Sequence, residues 1–294
     1  MKKFARGALA LLLLLTIAGF AYKSIASSQH KRADLFKISN IALRHASHFA
    51  NTPLSSELDA ILDKEFTYLA RGKQYYVFCS EDGKYVLKFF KCQRLETPHW
   101  LKTLSFLPFL KSYYTRQSSK IGKRRKELFA SCELAFEELQ EETGLIYIHL
   151  NKTSNLQKKV RIIDKLLHHY ALDIDKYEFI IQRRADLILP TLQILKEEGN
   201  FEGAKKRIDE LLALLVQRHE KGIIDFDPAI INNTGFLDDR AIHLDLGRFA
   251  KCPEIRCREN SKSEIDKITK ELRESISLFY PALSLYFEEK LLSL

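Results

Sequence analysis

Cysteine is scarce and poorly placed for a framework. The chain has five in 294 residues, at positions 79, 92, 132, 252 and 257. An odd number, mostly far apart, excludes a disulfide scaffold. Cys252 and Cys257 have no second Cys/His pair nearby, which excludes a structural zinc module. A long apolar run is lacking too. The longest spans Ala8 to Ala21, shorter than the ~20 residues a membrane-crossing helix prefers. Acids are almost missing between residues 91 and 126, where ten lysines and arginines face only Glu96. No nucleic-acid-binding signature accompanies that basic stretch, so nucleic acid is not the favoured partner.

What is present reads as a folded protein. Hydrophobic residues make up 46% and charged residues 29%, within the globular range. The length allows one large or two small domains. The net charge of +9 is no more than the charge of residues 91–126, so the remainder is near neutral. At the start, Lys2, Lys3 and Arg6 precede the apolar run, and Ser24-Ile25-Ala26 follows it. A basic start, a short apolar core and small residues fit a secretory signal. Gly7 to Tyr22 also fits a tilted anchor with flanking lysines at the interface. Residues 1–32 are therefore set apart as a signal or anchor segment. Its orientation stays open, since Lys2, Lys3 and Arg6 oppose Lys23, Lys31, Arg32 and Lys37.

Periodicity lays out the rest. Leu35, Ile38, Ile41, Ala42 and Ala46 repeat at helical spacing, Pro53 breaks the chain, and Ser55–Leu62 opens a second helix. Phe66–Lys91 reads as strand, turn and strand, with Asp82-Gly83 as the hairpin turn. Lys126–Glu142 reads as a helix with Phe129, Cys132, Ala135, Phe136 and Leu139 on its apolar stripe. Leu145–Leu150, Val160–Ile163 and Phe179–Gln182 read as further strands of an antiparallel sheet. Pro190–Glu198, Phe201–His219, Glu264–Leu278 and Pro281–Leu294 read as helices.

The chemistry gathers between His219 and Phe249. Asp227 lies five positions before Asn232 and eighteen before Asp245. The segment between reads as a hairpin, with turns at Asn233-Thr234-Gly235 and Asp238-Asp239-Arg240 and a strand over Ala241–Leu246. Such a hairpin returns Asp245 to the side of Asn232. Two acids and an amide then converge. That set can hold a hard cation through oxygen, with one carboxylate spare as a base. Upstream, Lys88 sits between apolar neighbours on a strand and needs an anionic partner or a route to water. Glu133 lies near the edge of a helical stripe and needs a cation; Glu137, one turn on, is its alternative.

These residues resemble the protein-kinase-like superfamily. His219, Gly222-Ile223, Asp227, Asn232 and Asp245-Leu246-Gly247 follow the order H-x-x-G-I, D-x-x-x-x-N, D-F-G, and both separations agree with the family's. The resemblance covers roughly residues 66–250. It implies an α+β, two-lobed kinase-like fold: a small antiparallel β lobe and a mainly helical lobe, preceded by the N-terminal hydrophobic segment. By it, residues 33–185 form the first lobe, with leading helices and a basic aromatic insert at 95–126. Residues 186–294 form the second, with the catalytic and metal loops. Glu178–Ala185 is the implied linker. The resemblance assigns Asp227 as the base and Asn232 and Asp245 to Mg²⁺. Lys88 takes the ATP phosphates and Glu133 orients Lys88.

Departures from the pattern narrow the function. Leu69–Val77 keeps one glycine of the family's phosphate loop, Gly72, with Ala70 and Tyr75 replacing the others. Bulk at Tyr75 limits the approach of phosphate, so Arg71 or Lys73 becomes the candidate contact. Asp225 and Phe226 stand where the family has histidine and arginine, and Ala229 where protein kinases keep a lysine. Only 45 residues follow Phe249, without the A-P-E segment. A protein substrate and regulation by loop phosphorylation are disfavoured. Within the insert, Trp100, Phe106, Phe109, Tyr113 and Tyr114 alternate with cations, which suits a lipid headgroup layer or packing on the small lobe. The expectation is a membrane-associated ATP- and Mg²⁺-dependent phosphotransferase acting on a sugar, lipid or other non-protein hydroxyl. The alternative is a pseudokinase that binds nucleotide or a protein partner without turnover.

Overall fold

Ser55 starts the first long helix of the computed structural model, which describes residues 36–43, 55–227 and 229–294, without the side chain of Phe109. The N-terminal apolar segment, Pro53 and the two ends of the 35–46 helical pattern lie outside these residues; its described part, 36–43, holds a single 3-10 turn at Ile38–Asn40 in place of the expected helix. The chain divides into two units, Met1–Ser39 and Asn40–Leu294, and the second carries the fold below. Helix α1 covers Ser56–Leu62, and the Ser55 hydroxyl accepts the Leu58 N–H at 3.1 Å. That cap satisfies one of the free donors of the first turn.

Residues 65–90 form three strands rather than two: β1 (Glu65–Arg71), β2 (Tyr75–Ser80) and β3 (Tyr85–Phe90). The expected turn closes β2 onto β3. Asp82 accepts the Ser80 hydroxyl at 2.6 Å and the Lys84 N–H at 3.1 Å, and Gly83 takes the left-handed conformation at φ +72°. A second tight turn, at residues 72–74, joins β1 to β2, with Gly72 N–H donating to the Tyr75 carbonyl at 3.0 Å. Further strands are β4 (Leu145–His149), β5 (Lys159–Ile163), β6 (His169–Asp173) and β7 (Phe179–Arg183). The sheet runs β4-β7-β3-β2-β1-β5-β6. It is mixed, not purely antiparallel, because β5 pairs parallel to β1. Strand β6 escapes a pattern search since it alternates at a polar edge with few β-formers. The expected linker is shorter than Glu178–Ala185, because residues 179–183 belong to β7 in the sheet interior.

Short helices α2 (Cys92–Leu95) and α3 (His99–Thr103) lead to α4, which spans Pro108–Glu138. The sequence placed this helix at 126–142. It begins 18 residues earlier, at a proline in the first turn, where the missing N–H costs nothing. Residues 108–126 are mostly exposed and lack an apolar stripe, so periodicity could not register them as helix. The chain breaks at Leu139, and α5 (Gln140–Thr143) follows to Gly144 at φ +60°. Phe129, Cys132, Ala135 and Leu139 pack against Tyr75, Phe90, Ile148 and Ile180 of the sheet.

The remainder is chiefly helical: α6 (Ile188–Glu197), α7 (Phe201–Glu220), α9 (Arg258–Phe279) and α10 (Pro281–Ser293), with a one-turn α8 at Ile230–Asn233. Asn200 caps α7 through the Gly203 N–H at 2.8 Å. The stripe Ile208, Leu211, Leu215 meets Ile268, Leu272, Ile276 and Phe287 in one core. Two small ladders cross this half. Strand β8 (Asp186–Leu187) pairs with β10 (Thr234–Leu237), and β10 with β11 (Arg240–His243). Strand β9 (Ile223–Asp225) pairs with β12 (Phe249–Lys251).

Two readings of this region need correction. Asn233-Thr234-Gly235 is not a turn: α8 runs directly into β10. The returning strand ends at His243, not Leu246. Gly235 is required there by close approach, since a Cβ would sit 2.5 Å from the Asp186 carbonyl oxygen. Gly235→Ala is expected to cost about 1–3 kcal/mol of stability through overpacking against backbone. Urea denaturation checks it; an unchanged midpoint would show that β8 yields freely.

Candidate active site

Two ladders bring the acidic residues of 219–249 together. The β10–β11 register pairs Thr234 with His243, and the Leu244 N–H donates to the Asn233 carbonyl at 2.7 Å. Residues 232 and 245 therefore face each other where the hairpin opens, as their spacing requires. The β9–β12 ladder pairs Asp225 with Phe249. Beyond it the Phe226 N–H donates to the Arg248 carbonyl, and the Arg248 guanidinium donates back to the Phe226 carbonyl, each at 3.1 Å. This zip holds the Asp227 loop beside the Asp245 loop. Asp227 is pinned locally, its N–H donating to Asp225 Oδ1 at 2.9 Å and its Oδ1 accepting the Ala229 N–H at 3.3 Å. Asn232, on α8, is exposed.

Lys88 reaches this point from the sheet. It is buried on β3, and its Nζ donates to the Leu244 carbonyl at 2.6 Å. Its charge faces the Asp245 carboxylate and the Cys132 thiol, 5.9 Å from the Tyr75 ring centroid. Burial lowers its pKa to about 8, against the upward pull of Asp245. Lys91 points elsewhere. Three positions on, it lies across the strand from Lys88, donates to the Gly72 carbonyl at 2.7 Å and packs 4.6 Å from the Tyr76 ring. Register thus sends Lys88, not Lys91, toward Asp245.

The acids sit in unequal surroundings. Burial raises the Asp245 pKa above the ordinary carboxylate value. Lys88 and the Gly247 N–H, 3.0 Å from Oδ1, oppose this, while the charge of Asp227 adds to it. Burial raises Asp225 to about 6, against the pull of the Asp227 N–H and Arg218. Asp225 belongs to a buried network the sequence did not reveal. Arg218 lies 3.2 Å from His219 Nε2 and 3.4 Å from His243 Nε2, and His219 Nδ1 meets the Ser261 hydroxyl at 2.8 Å. Burial, then the Arg218 charge, holds His219 down at about 4, so it is a neutral spacer. No local signal marks these partners, because they are brought together from α7, β11 and α9.

Glu133, named to orient Lys88, is half-buried on α4 next to Cys132. Ser131 of α4 ties down the Asp245 loop by hydrogen bonds. Its hydroxyl donates to the Leu246 carbonyl and accepts the Phe249 N–H at 2.7 Å, both buried. Ser131→Ala is expected to leave these backbone groups without a partner and to cost about 1–3 kcal/mol. A chemical-denaturation midpoint unchanged from wild type would count against that role.

The loop at 71–74 covers the cleft. Gly72 and Lys73 are exposed. Tyr75, expected to crowd the loop, turns into the core instead, 5.0 Å from the Phe90 ring with its hydroxyl 3.8 Å from Cys132. Gln74 closes over the site. A Cβ on Gly247 would lie 2.3 Å from Gln74 Oε1, and that oxygen is buried with no hydrogen-bond partner. The two cavities of note lie elsewhere: about 300 Å³ beside α4 and about 370 Å³ near Tyr85 and Phe236.

The donor set fits Mg²⁺ bound with nucleotide. No group of three His, Cys, Asp or Glu able to hold a metal occurs among the described residues. Mg²⁺ does not need one, since it takes one or two carboxylates and leaves its other positions to phosphate and water. Asp245 with the exposed amide of Asn232 supplies that kind of hard, incomplete set, and Gln74 Oε1 is a further unpartnered oxygen at its edge.

No family model matches the chain, and no curated protein matches it. Solved structures that align with it include WbdD in complex with the kinase inhibitor LY294002. That alignment has 16% identity and a TM-score of 0.36, covering 77% of this chain and 46% of that one. A structure of the bifunctional kinase-methyltransferase WbdD aligns at 15% identity and a TM-score of 0.35, covering 89% and 49%. The chain spans just under half the length of these proteins. Likeness at this level is too loose to define a shared fold.

Proposed function

We propose that this chain is a kinase-like phosphotransferase that uses ATP and Mg²⁺ to phosphorylate a hydroxyl of a non-protein acceptor at a membrane. The observation that carries the proposal is the approach of Lys88 to Asp245 and the Leu244 carbonyl, with Asp227 zipped alongside through β9 and β12. A buried cation next to a buried carboxylate from a distant loop is costly unless a ligand uses both. In this reading Lys88 steadies the nucleotide phosphates, and Asn232 and Asp245 hold the metal. Asp227 orients the acceptor hydroxyl and takes its proton. Mg²⁺, when bound, neutralises phosphate charge. Gly72 and Lys73 are the backbone and side-chain contacts that the 71–74 loop would offer to phosphate.

The acceptor class follows from two features. Helices α9 and α10 pack back onto α7, and the 219–249 loops lack the residues that protein kinases use for a peptide substrate and its regulation. The basic insert and the N-terminal apolar segment favour an acceptor at a lipid surface, a sugar or a lipid hydroxyl. Among the described residues no helix is long and apolar enough to cross a membrane. Calorimetric titration of ATP with and without Mg²⁺ on the protein lacking residues 1–32 tests the reading. Tight binding only with Mg²⁺ is expected; metal-independent binding, or none, would remove the phosphotransfer assignment.

One observation favours a second reading, a nucleotide- or partner-binding pseudokinase. Gln74 lies across Gly247 where phosphate would enter. Gln74→Ala decides between them. A phosphotransferase keeps or gains ATP turnover when the amide is removed. A binding module shows changed affinity and no turnover in either form.

A further inference from the structure

The 300 Å³ cavity lies between the 95–102 segment and the middle of α4. Tyr114, Ser118, Gly122 and Arg125 follow one face of α4 along its wall, and His99 and Lys102 line the opposite side. Glu96 is the single acid on the lining. Arg125 is half-buried, yet among the described residues its guanidinium has no hydrogen bond or ion pair, and neither does the exposed Lys102 ammonium. Tyr114 and Ser118 are half-buried, and their hydroxyls also have no partner among the described residues. A guanidinium keeps its charge and five donors under such conditions. Unused donors of one sign around a cavity call for an anion.

Gly122 supplies an independent indication. A helix interior disfavours glycine, and this one is not forced by packing, since a Cβ there would meet nothing within 4 Å. Its effect is to leave bare helix at the cavity wall between Ser118 and Arg125. In the same insert, next in sequence to lining residues His99 and Tyr114, Trp100 and Tyr113 are each 50% exposed, and Phe106 is 75% exposed. Exposed aromatics beside a basic pocket are the arrangement of a site entered from a headgroup layer.

We propose that this cavity binds a phosphate monoester, with Arg125 and Lys102 on the phosphate oxygens and Tyr114 and Ser118 on the remaining ester or hydroxyl oxygens. The site is separate from the Lys88–Asp245 cleft, and its assignment does not depend on phosphotransfer there. The monoester comes from a lipid headgroup or from a soluble sugar or glycerol phosphate; the chemistry is shared, and the probes tell them apart.

The test uses the only tryptophan of the chain, Trp100, which adjoins the cavity-lining His99 and so reports on this site by fluorescence. Full-length protein in neutral detergent micelles is titrated with glycerol 3-phosphate, with glycerol, and with micelles doped with phosphatidic acid or phosphatidylcholine. A saturable change with a phosphate monoester, absent with glycerol and phosphatidylcholine, is expected. Arg125→Gln should weaken it about tenfold or more, the value of one charge-assisted bond. Gly122→Leu should block it by filling the cavity while remaining a good helix former. Nucleotide binding should be unchanged in both variants. A response to phosphatidic acid alone assigns the lipid source, and a response to glycerol 3-phosphate assigns the soluble one. No saturable response to either, or one untouched by both substitutions, overturns the proposal.

Discussion

Asp245→Asn is expected to abolish Mg²⁺-dependent nucleotide binding while leaving the protein folded. The side chain keeps its shape and can still accept the Gly247 N–H on its carbonyl oxygen, so the loop geometry survives. What disappears is the negative charge that faces Lys88 and would meet a cation. Lys88 is left buried without its counter-charge, so some stability should be lost, as when any buried pair is broken, while the fold remains. Loss of the carboxylate charge from the site should lower turnover by roughly 10²–10³-fold, the scale for one preorganised electrostatic group. Titration of ATP with and without Mg²⁺, next to a thermal unfolding curve, separates the two effects. Wild-type binding that needs no Mg²⁺ and ignores the substitution would sink the metal assignment. Loss of binding together with loss of the unfolding transition would show only a structural role.

Lys88→Met should depress ATP turnover far more than Lys91→Met, again on the order of 10²-fold or more against less than tenfold. Both lysines are buried, Lys88 within β3 and Lys91 just after it, and burial lowers both pKa values to about 8. Their partners separate them. Lys88 meets a carboxylate and a carbonyl from the Asp245 loop, whereas Lys91 ties down the Gly72 carbonyl and packs on Tyr76. Lys91→Met should therefore loosen the 71–74 loop and raise the KM for ATP, with kcat nearly kept. In Lys88→Met, Asp245 is left buried without its cation, so some stability should be lost as well. The double variant Lys88→Met with Asp245→Asn should recover that stability, since replacing a buried pair costs less than breaking it. Equal effects of Lys88→Met and Lys91→Met on turnover would rule out a special place for Lys88.

Much of the site's geometry followed from local features. The eighteen positions between Asp227 and Asp245 leave room for one short hairpin, and the β10–β11 ladder is that hairpin. Asp82-Gly83 marked the β2–β3 turn because the side-chain acceptor and the left-handed glycine are both local requirements. The boundaries of α7 were legible from its apolar stripe. Ser131 and Gln74 were not. Each is a small or ordinary polar residue whose importance lies in a contact more than a hundred residues away, with Leu246 and Gly247 respectively. The first half of α4 was hidden for a different reason. A helix that buries little there has no periodicity to read, and its lysines and arginines are as common in loops as in helices.

The sequence by itself determined the elements whose specification is local: the capped start at Ser55, the 82–83 turn, the amphipathic helices, and the spacing that returns Asp245 to Asn232. Only the tertiary structure decided which lysine meets Asp245, because strand register sends Lys88 and Lys91 to opposite faces and register is set by pairing with β2 and β7. It also made the sheet mixed, by laying β5 parallel to β1, and it covered the cleft with Gln74. Finally, it placed an unpaired Arg125 against a cavity. Whether a charge finds a partner depends on what the rest of the chain brings within about 4 Å, and no local pattern encodes that distance.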